Sequence, residues 1–286
     1  MVSSHLLQRN TALSDLFSFQ ILGERFGVQC DDPELGALVR ANWGHMASNA
    51  RPDTVYAVVR DSSLAITIRP PGRGPIVSTD TGEFLHELER NVVTELQNRR
   101  ADLYFLHAAA VEAEGNAYLF IAESGRGKST TAWGLLHHGF GYLSDELAPI
   151  DLRRLQVHAY PHALCVKQLP PLPYSLPVET VRTPHTLHVP VQYLPRVAAP
   201  GPYPLAALWF VRYCPNASTP TVRPITPGEA SARLYANALN QLAHPNAGLD
   251  AAVRIAGAVP SFSLDSADLA VTCALVRSTM SATDAP

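Results

Sequence analysis

Residues 122 to 130 read Ala-Glu-Ser-Gly-Arg-Gly-Lys-Ser-Thr, and these residue types in this order are suited to holding phosphate. Two glycines free the backbone so that successive N–H groups can turn towards one point, and an anion is favoured at that point. Lys128 reaches the outer phosphates of a nucleotide, and Ser129 offers a hydroxyl to Mg²⁺. The first glycine of G-x-x-x-x-G-K-[ST] is Ala122 here. Its methyl group restricts positive φ at the loop entrance. A second chemical pair, Asp145-Glu146, begins seventeen residues after Lys128. One acid can hold Mg²⁺ and the other can accept the proton of an attacking hydroxyl. Neighbouring residues on a strand point to opposite faces, so both acids serve one site only at a bend or strand end. The other reading of the pair is an exposed acidic turn without a catalytic role.

The elements that must position these groups are visible on either side. Ala117 to Ile121 is an apolar run with the length of a buried strand. Thr131 to His138 is amphipathic, and Gly139 is placed to end a helix. Strand, glycine-bearing loop and helix are the context a P-loop requires. Leu103 to Val111 reads as a further strand. Tyr142 to Asp151 reads as a strand carrying the two acids, returning beside the P-loop strand.

At this point the residues resemble a known family. His107, the Ser-Gly-Arg-Gly-Lys-Ser loop, Gly139 and Asp145-Glu146 look like the core of the HPr kinase/phosphorylase family. They are closer still to its stand-alone HPr-kinase-related proteins, some of which act on precursor peptides of ribosomally made natural products such as lasso peptides. The resemblance covers residues 103 to 151 and extends more loosely to about 280. It implies an α/β fold: a P-loop kinase domain of the HPr kinase and phosphoenolpyruvate carboxykinase type over 101–286, with a small α/β N-terminal module over 1–100. It implies ATP and Mg²⁺ as cofactors and a serine hydroxyl of a peptide or protein as acceptor. Carried over residue by residue, Asp145, Lys128 and His107 are catalytic, with Asp145 as the base. Glu123, Ser124, Gly125, Arg126, Gly127, Lys128, Ser129 and Thr130 bind nucleotide. Ser129, Glu146 and Asp145 hold metal. His107 reads equally as a core histidine bonded to backbone, and Arg126 as an exposed side chain. Thr130 stands where the bifunctional enzymes often carry Glu, and their later glycine-rich signature is not visible between 151 and 204. These departures count against a phosphorylase activity and against HPr as substrate. A small-molecule kinase acting on an amino acid or sugar, and a nucleotide-gated regulatory protein without transfer activity, are the competing readings. A homo-oligomer is a further possibility that the resemblance raises.

The first hundred residues read as an α/β module. Strands are expected over Phe17–Leu22, Thr54–Arg60 and Ser63–Arg69. Helices are expected from Asp32-Pro33 to Trp43 and from Gly82 to Arg99. Eleven prolines between 161 and 204 exclude long helices there. Leu205 to Tyr213 is a buried-strand candidate. Thr226-Pro-Gly-Glu229 opens a helix towards Leu242. Helices near 248–257 and 265–280, with a strand at Pro260–Leu264, close the chain, and Ser281 to Pro286 reads as loose.

With 286 residues the chain can bury a large core. An apolar fraction of 47%, a charged fraction of 16% and a net charge of −3 are those of a soluble globular protein. They argue against a broad nucleic-acid surface. Cys30, Cys165, Cys214 and Cys273 are far apart, which suggests neither zinc nor a redox pair. His185 and His188, flanked by prolines, read as loop histidines. His137 and His138 suit the negative end of a helix. Lys167 and Arg196 read as surface cations within reach of phosphate or an acidic peptide. Trp133 and Trp209 read as core. No secretion signal is seen at Met1-Val-Ser-Ser-His and no stretch matches a membrane helix, so a cytoplasmic protein without nucleic-acid or membrane partners is expected.

Overall fold

The computed structural model describes residues 15–283. The pentapeptide at the N-terminus and residues 284–286, on which two of the expectations above fall, lie outside the described residues. Among the described residues the chain is a mixed α/β structure with several sheets and six α-helices. Strands β1 (Asp15–Ile21) and β2 (Glu24–Cys30) form a hairpin across Leu22-Gly23. Both turn residues have positive φ, 52° and 90°, which matches the right-handed twist of the paired strands. β2 is not anticipated by the sequence reading, although Phe26, Val28 and Cys30 do alternate. Helix α1 (Pro33–Trp43) is capped by Asp32, which accepts from the Leu35 N–H. β3 (Thr54–Arg60) then joins β2 in parallel, and β4 (Ile66–Arg69) and β5 (Ile76–Ser78) complete a five-stranded sheet. Helix α2 (Thr81–Arg99) starts at Asp80, whose carboxylate accepts from the Gly82 and Glu83 N–H groups at 2.7 and 2.9 Å.

The second part continues with β6 (Leu103–Leu106), β7 (Ala108–Ala113), β8 (Asn116–Ile121), helix α3 (Lys128–Leu136), β9 (Gly141–Ser144), β10 (Ala148–Asp151) and β11 (Gln156–His158). A small sheet of β12 (Leu164–Val166), β13 (Val181–Arg182) and β14 (Leu187–Val189) occupies the proline-rich region. The long strand β15 (Pro202–Tyr213), β16 (Thr221–Pro224), α4 (Pro227–Ala236), α5 (Leu249–Ala258), β17 (Ser261–Ser266) and α6 (Leu269–Thr283) follow. The large sheet has the order β6-β10-β11-β15-β8-β7-β9, with β17 branching from β15 and β16 paired to β17. β8 lies parallel to β15 and antiparallel to β7.

Several expectations are corrected. The single strand over 103–111 is broken at His107, whose N–H donates to the Asn237 carbonyl at 2.9 Å. The strand over 142–151 is likewise two strands on different neighbours, β9 on β7 and β10 on β6. β9 therefore stands one strand away from β8, with β7 between. The helix from Thr226 ends at Ala236, short of Leu242, and the last helix starts at Leu269 rather than 265. Ser281 to Thr283 belong to that helix. No helix among the described residues is long and apolar enough to cross a membrane.

The two sheets are not separated by a linker. The core beneath the first sheet, built on Trp43, Phe84 and Leu88, also contains Leu103, Phe105, Leu147 and Tyr160 from the second part. Leu147 is 1% exposed, and burying such a side chain is worth about 2 kcal/mol. That anchor fixes the turn in which Asp145 and Glu146 sit.

Candidate functional site

The site is built where β8 ends. Ile121 is the last strand residue and Lys128 the first of α3. Gly125 and Gly127 take φ of 81° and 97°, a region that L side chains enter at a cost. A Cβ on Gly127 would also meet the Tyr213 Cβ at 3.2 Å. Tyr213 lies at the end of β15, and its N–H donates to the Arg126 carbonyl at 2.9 Å. The neighbouring strand thus fixes the shape of the loop. Ala122 is not among the residues with positive φ and packs into the core at 7% exposure. The entrance to this loop therefore needs no glycine, which removes the conflict that its methyl group suggested.

Lys128 is buried, 4% exposed, at the first turn of α3. Its Nζ donates to Glu146 Oε1 at 3.4 Å, and the other carboxylate oxygen of Glu146 lies 2.8 Å from His107 Nε2. Burial pushes the Glu146 carboxyl up. The charge of Lys128 and the contact with His107 more than offset this and hold it down at about 2. Glu146 is therefore an anion clamped between Lys128 and His107. The His107 side chain, 24% exposed, meets Glu146 and lines the cleft rather than bonding backbone in the core, while its main-chain N–H donates to the Asn237 carbonyl.

Asp145 lies behind this cluster. It is fully buried, and both of its oxygens are in use: the Tyr142 hydroxyl donates to Oδ1 at 2.9 Å and the Cys165 N–H to Oδ2 at 2.8 Å. Burial pushes its carboxyl up, against the pull of His162 and Lys128. The two neighbouring acids point different ways although they sit in the turn between β9 and β10 rather than on a strand. The one on the open side is Glu146, not the residue expected to act as base. The turn is set by Ser144, whose Oγ accepts from the Leu147 N–H at 3.1 Å.

A cleft of about 1120 Å³ opens over the loop. Ser124, Gly125, Gly127, Lys128, Ser129 and Thr130 line it, together with His107 and Glu146. The side chains of Glu123 and Arg126 do not. They are 81% and 57% exposed and pair loosely with each other at 3.7 Å, an arrangement worth little in water. Lys167 enters the cleft and donates to Ser124 Oγ at 2.8 Å. Arg196 turns away, towards the Gly139 carbonyl and Glu112. The far wall is α2, with Glu83, His86, Glu89, Arg90 and Val93 on one helical stripe. Sequence reading leaves that stripe unassigned, because charges at this spacing look like a solvated face.

Two other expectations change. Trp133 donates to the Tyr174 carbonyl at 2.8 Å, His138 meets the Tyr174 hydroxyl at 2.8 Å, and His137 packs edge-on to both rings. Burial lowers both histidines. They tie α3 to the proline-rich segment as neutral rings rather than as charges on the helix dipole. His188 is buried on β14, 3.3 Å from Cys165 Sγ, whereas His185 is exposed. Among the described residues no group of three or more His, Cys, Asp or Glu is placed to hold a metal by itself. Of the carboxylates and hydroxyls that line the cleft, Glu146 and Ser129 are the pair nearest Lys128, the first by contact and the second in sequence. That set fits Mg²⁺, which keeps waters and shares phosphate oxygens rather than filling a protein cage.

The chain matches no family model and no curated protein. Among solved structures it is similar to the HPr(Ser) kinase/phosphatase from Coxiella burnetii, at 13% identity and a TM-score of 0.33, over 63% of this chain and 99% of that one. The relationship is distant, and the chemistry of the cleft has to be read from its own residues.

Proposed function

We propose that this chain is an ATP- and Mg²⁺-dependent kinase that transfers the γ-phosphoryl group to a serine hydroxyl of a peptide or protein. The observation that carries the reading is the buried Lys128 at the start of α3, ion-paired with Glu146 and opening on a large cleft. A buried lysine at a helix N-terminus whose ion-pair partner lies at an open cleft is suited to receive an anion. In the absence of phosphate, Glu146 balances its charge. With a nucleotide present, Lys128 would turn to the outer phosphates, and the Glu146 carboxylate it releases would be free to hold Mg²⁺.

The backbone N–H groups of the glycine loop spread the charge that builds on the transferred group, and Lys167 adds a cation from the opposite lip. Ser129 and Glu146 would hold Mg²⁺, which when bound neutralises charge between the phosphate oxygens. Asp145 supports this arrangement from behind through Tyr142 and Cys165. The cleft exceeds the roughly 300–1,000 Å³ usual for one small ligand, which favours a nucleotide together with part of a larger acceptor. A precursor peptide of a natural product is one acceptor of that kind.

Incubation with ATP carrying a labelled γ-phosphate and separate pools of peptides, proteins and metabolites tests the reading. Label on serine in peptide or protein is the expected result. Label in a metabolite moves the acceptor class, and nucleotide binding without any labelled product removes the kinase reading.

A further inference from the structure

We propose that Glu89, brought into the cleft by α2, takes the proton of the acceptor hydroxyl, with His162 and Asp145 as a buried pair behind it. This rests on the phosphotransfer reading above and assigns the base that reading leaves open.

Glu83, Glu89 and Glu146 line the cleft with Asp145 buried behind it, and their oxygens are not equally free. Glu83, at the exposed rim, accepts from the Thr79 N–H and hydroxyl through Oε2. Both oxygens of Glu146 face Lys128 and His107, and both of Asp145 are held by Tyr142 and Cys165. Glu89 is held by Oε1 alone, which accepts from the Tyr160 hydroxyl at 3.4 Å and lies 3.6 Å from His162 Nε2. No hydrogen bond to Oε2 is found among the described residues, and the side chain, 19% exposed, lines the cleft.

The surroundings of Glu89 are built. His162 is fully buried, and its Nε2 lies 3.3 Å from Asp145 Oδ1. Neither ring nitrogen has a well-formed hydrogen bond. An imidazole set between two carboxylates in a dry interior is costly unless their charge is used. Tyr160, which steadies Glu89, itself accepts from Trp43 Nε1 at 3.2 Å. The position of the Glu89 carboxylate is therefore fixed from both halves of the chain. Burial raises its carboxyl, and Glu146 and Asp145 add to this, while His162 works the other way. A carboxylate that holds protons more tightly than a surface glutamate is a better base near neutrality.

The step balances. The serine oxygen forms a bond to the γ-phosphorus as the bond from that phosphorus to the bridging oxygen breaks. ADP leaves with that electron pair. The hydroxyl proton passes to Glu89 Oε2 and is lost to water when product leaves.

The test uses the full chain, ATP with magnesium, and whichever acceptor pool the unaltered protein labels. Glu89→Gln keeps an acceptor for the Tyr160 hydroxyl but cannot take the proton. Turnover should fall about 100-fold or more, with ADP affinity by calorimetry within about twofold. In Glu89→Ala, added formate should restore about tenfold, because a small carboxylate re-enters the vacated space, and it should not rescue Lys128→Met. Glu89→Gln turning over at more than a third of the normal rate would overturn the proposal. So would a parallel loss of ADP affinity without formate rescue, which marks a structural role. If the unaltered protein binds ATP but labels nothing, the kinase reading itself falls, and that outcome is distinct from a failure at Glu89.

Discussion

Lys128 Nζ and Glu146 Oε1 stand 3.4 Å apart, joining the start of α3 to the turn between β9 and β10 although β7 separates β9 from β8, the strand that leads into the glycine loop. In the proposed kinase this pair would close the phosphate site electrically in the free protein, and nucleotide would have to compete with it. Replacing Lys128 by Met keeps the stem that fills the buried channel and removes the charge. A hydrogen bond to a charged group is worth about 1.5–3 kcal/mol, so ATP affinity should fall about 10- to 100-fold in a calorimetric titration. Unchanged affinity would show that phosphate binds elsewhere.

Gly127→Ala asks an alanine to hold φ of 97° and to press its methyl against Tyr213 at 3.2 Å. The backbone penalty is about 1–2 kcal/mol. The melting temperature should drop by about 3–6 °C, and nucleotide binding should weaken as the loop opens. Gly125→Ala meets no neighbour within 4 Å and pays only the backbone term. The difference in melting temperature between the two variants measures the contact with Tyr213.

Lys167 touches Ser124 from the proline-rich segment. Lys167→Ala should raise KM for ATP about 3- to 10-fold with little change in turnover, the scale of one exposed charge-assisted contact. Steady-state kinetics at varied ATP would show this. An equal loss in turnover would mean that Lys167 acts on the transferred group.

His188 carries a pH signature. Its burial on β14, helped by His162, lowers it from 6.5 to about 4. The folded state keeps it neutral while the unfolded chain protonates it near 6.5. Its contribution is therefore complete above pH 6.5, is lost as pH falls through the window to 4, and amounts to about 3 kcal/mol. Denaturant titrations between pH 7 and 4 should show that loss, and His188→Asn should lack this part of the slope. Parallel curves for the two proteins would place His188 in contact with solvent.

How much of this was legible before folding depends on range. The loop from 122 to 130 could be read because its determinants are local: an apolar strand, two glycines and a helix start. The break at His107 could not be read, because Asn237 makes it. Which of Asp145 and Glu146 faces the cleft is decided by Leu147 entering the core under the first sheet and by Tyr142 and Cys165 closing on Asp145. None of these is a neighbour-to-neighbour pattern. Glu89 was hidden for a related reason. On α2 alone it is one more charge on a polar stripe, and only the packing of Tyr160 and His162 against that stripe gives it partners.

Leu103, Phe105, Leu147 and Tyr160 sit in the same apolar cluster as Trp43 and Phe84, and this bears on any attempt to trim the protein. A fragment that starts near residue 101 would leave that face uncovered and shed the helix that walls the cleft. Such a fragment should come off a sizing column in the void volume, and proteases should find no durable cut between the halves. The leading segment is better regarded as one wall of the cleft than as an appendage to it.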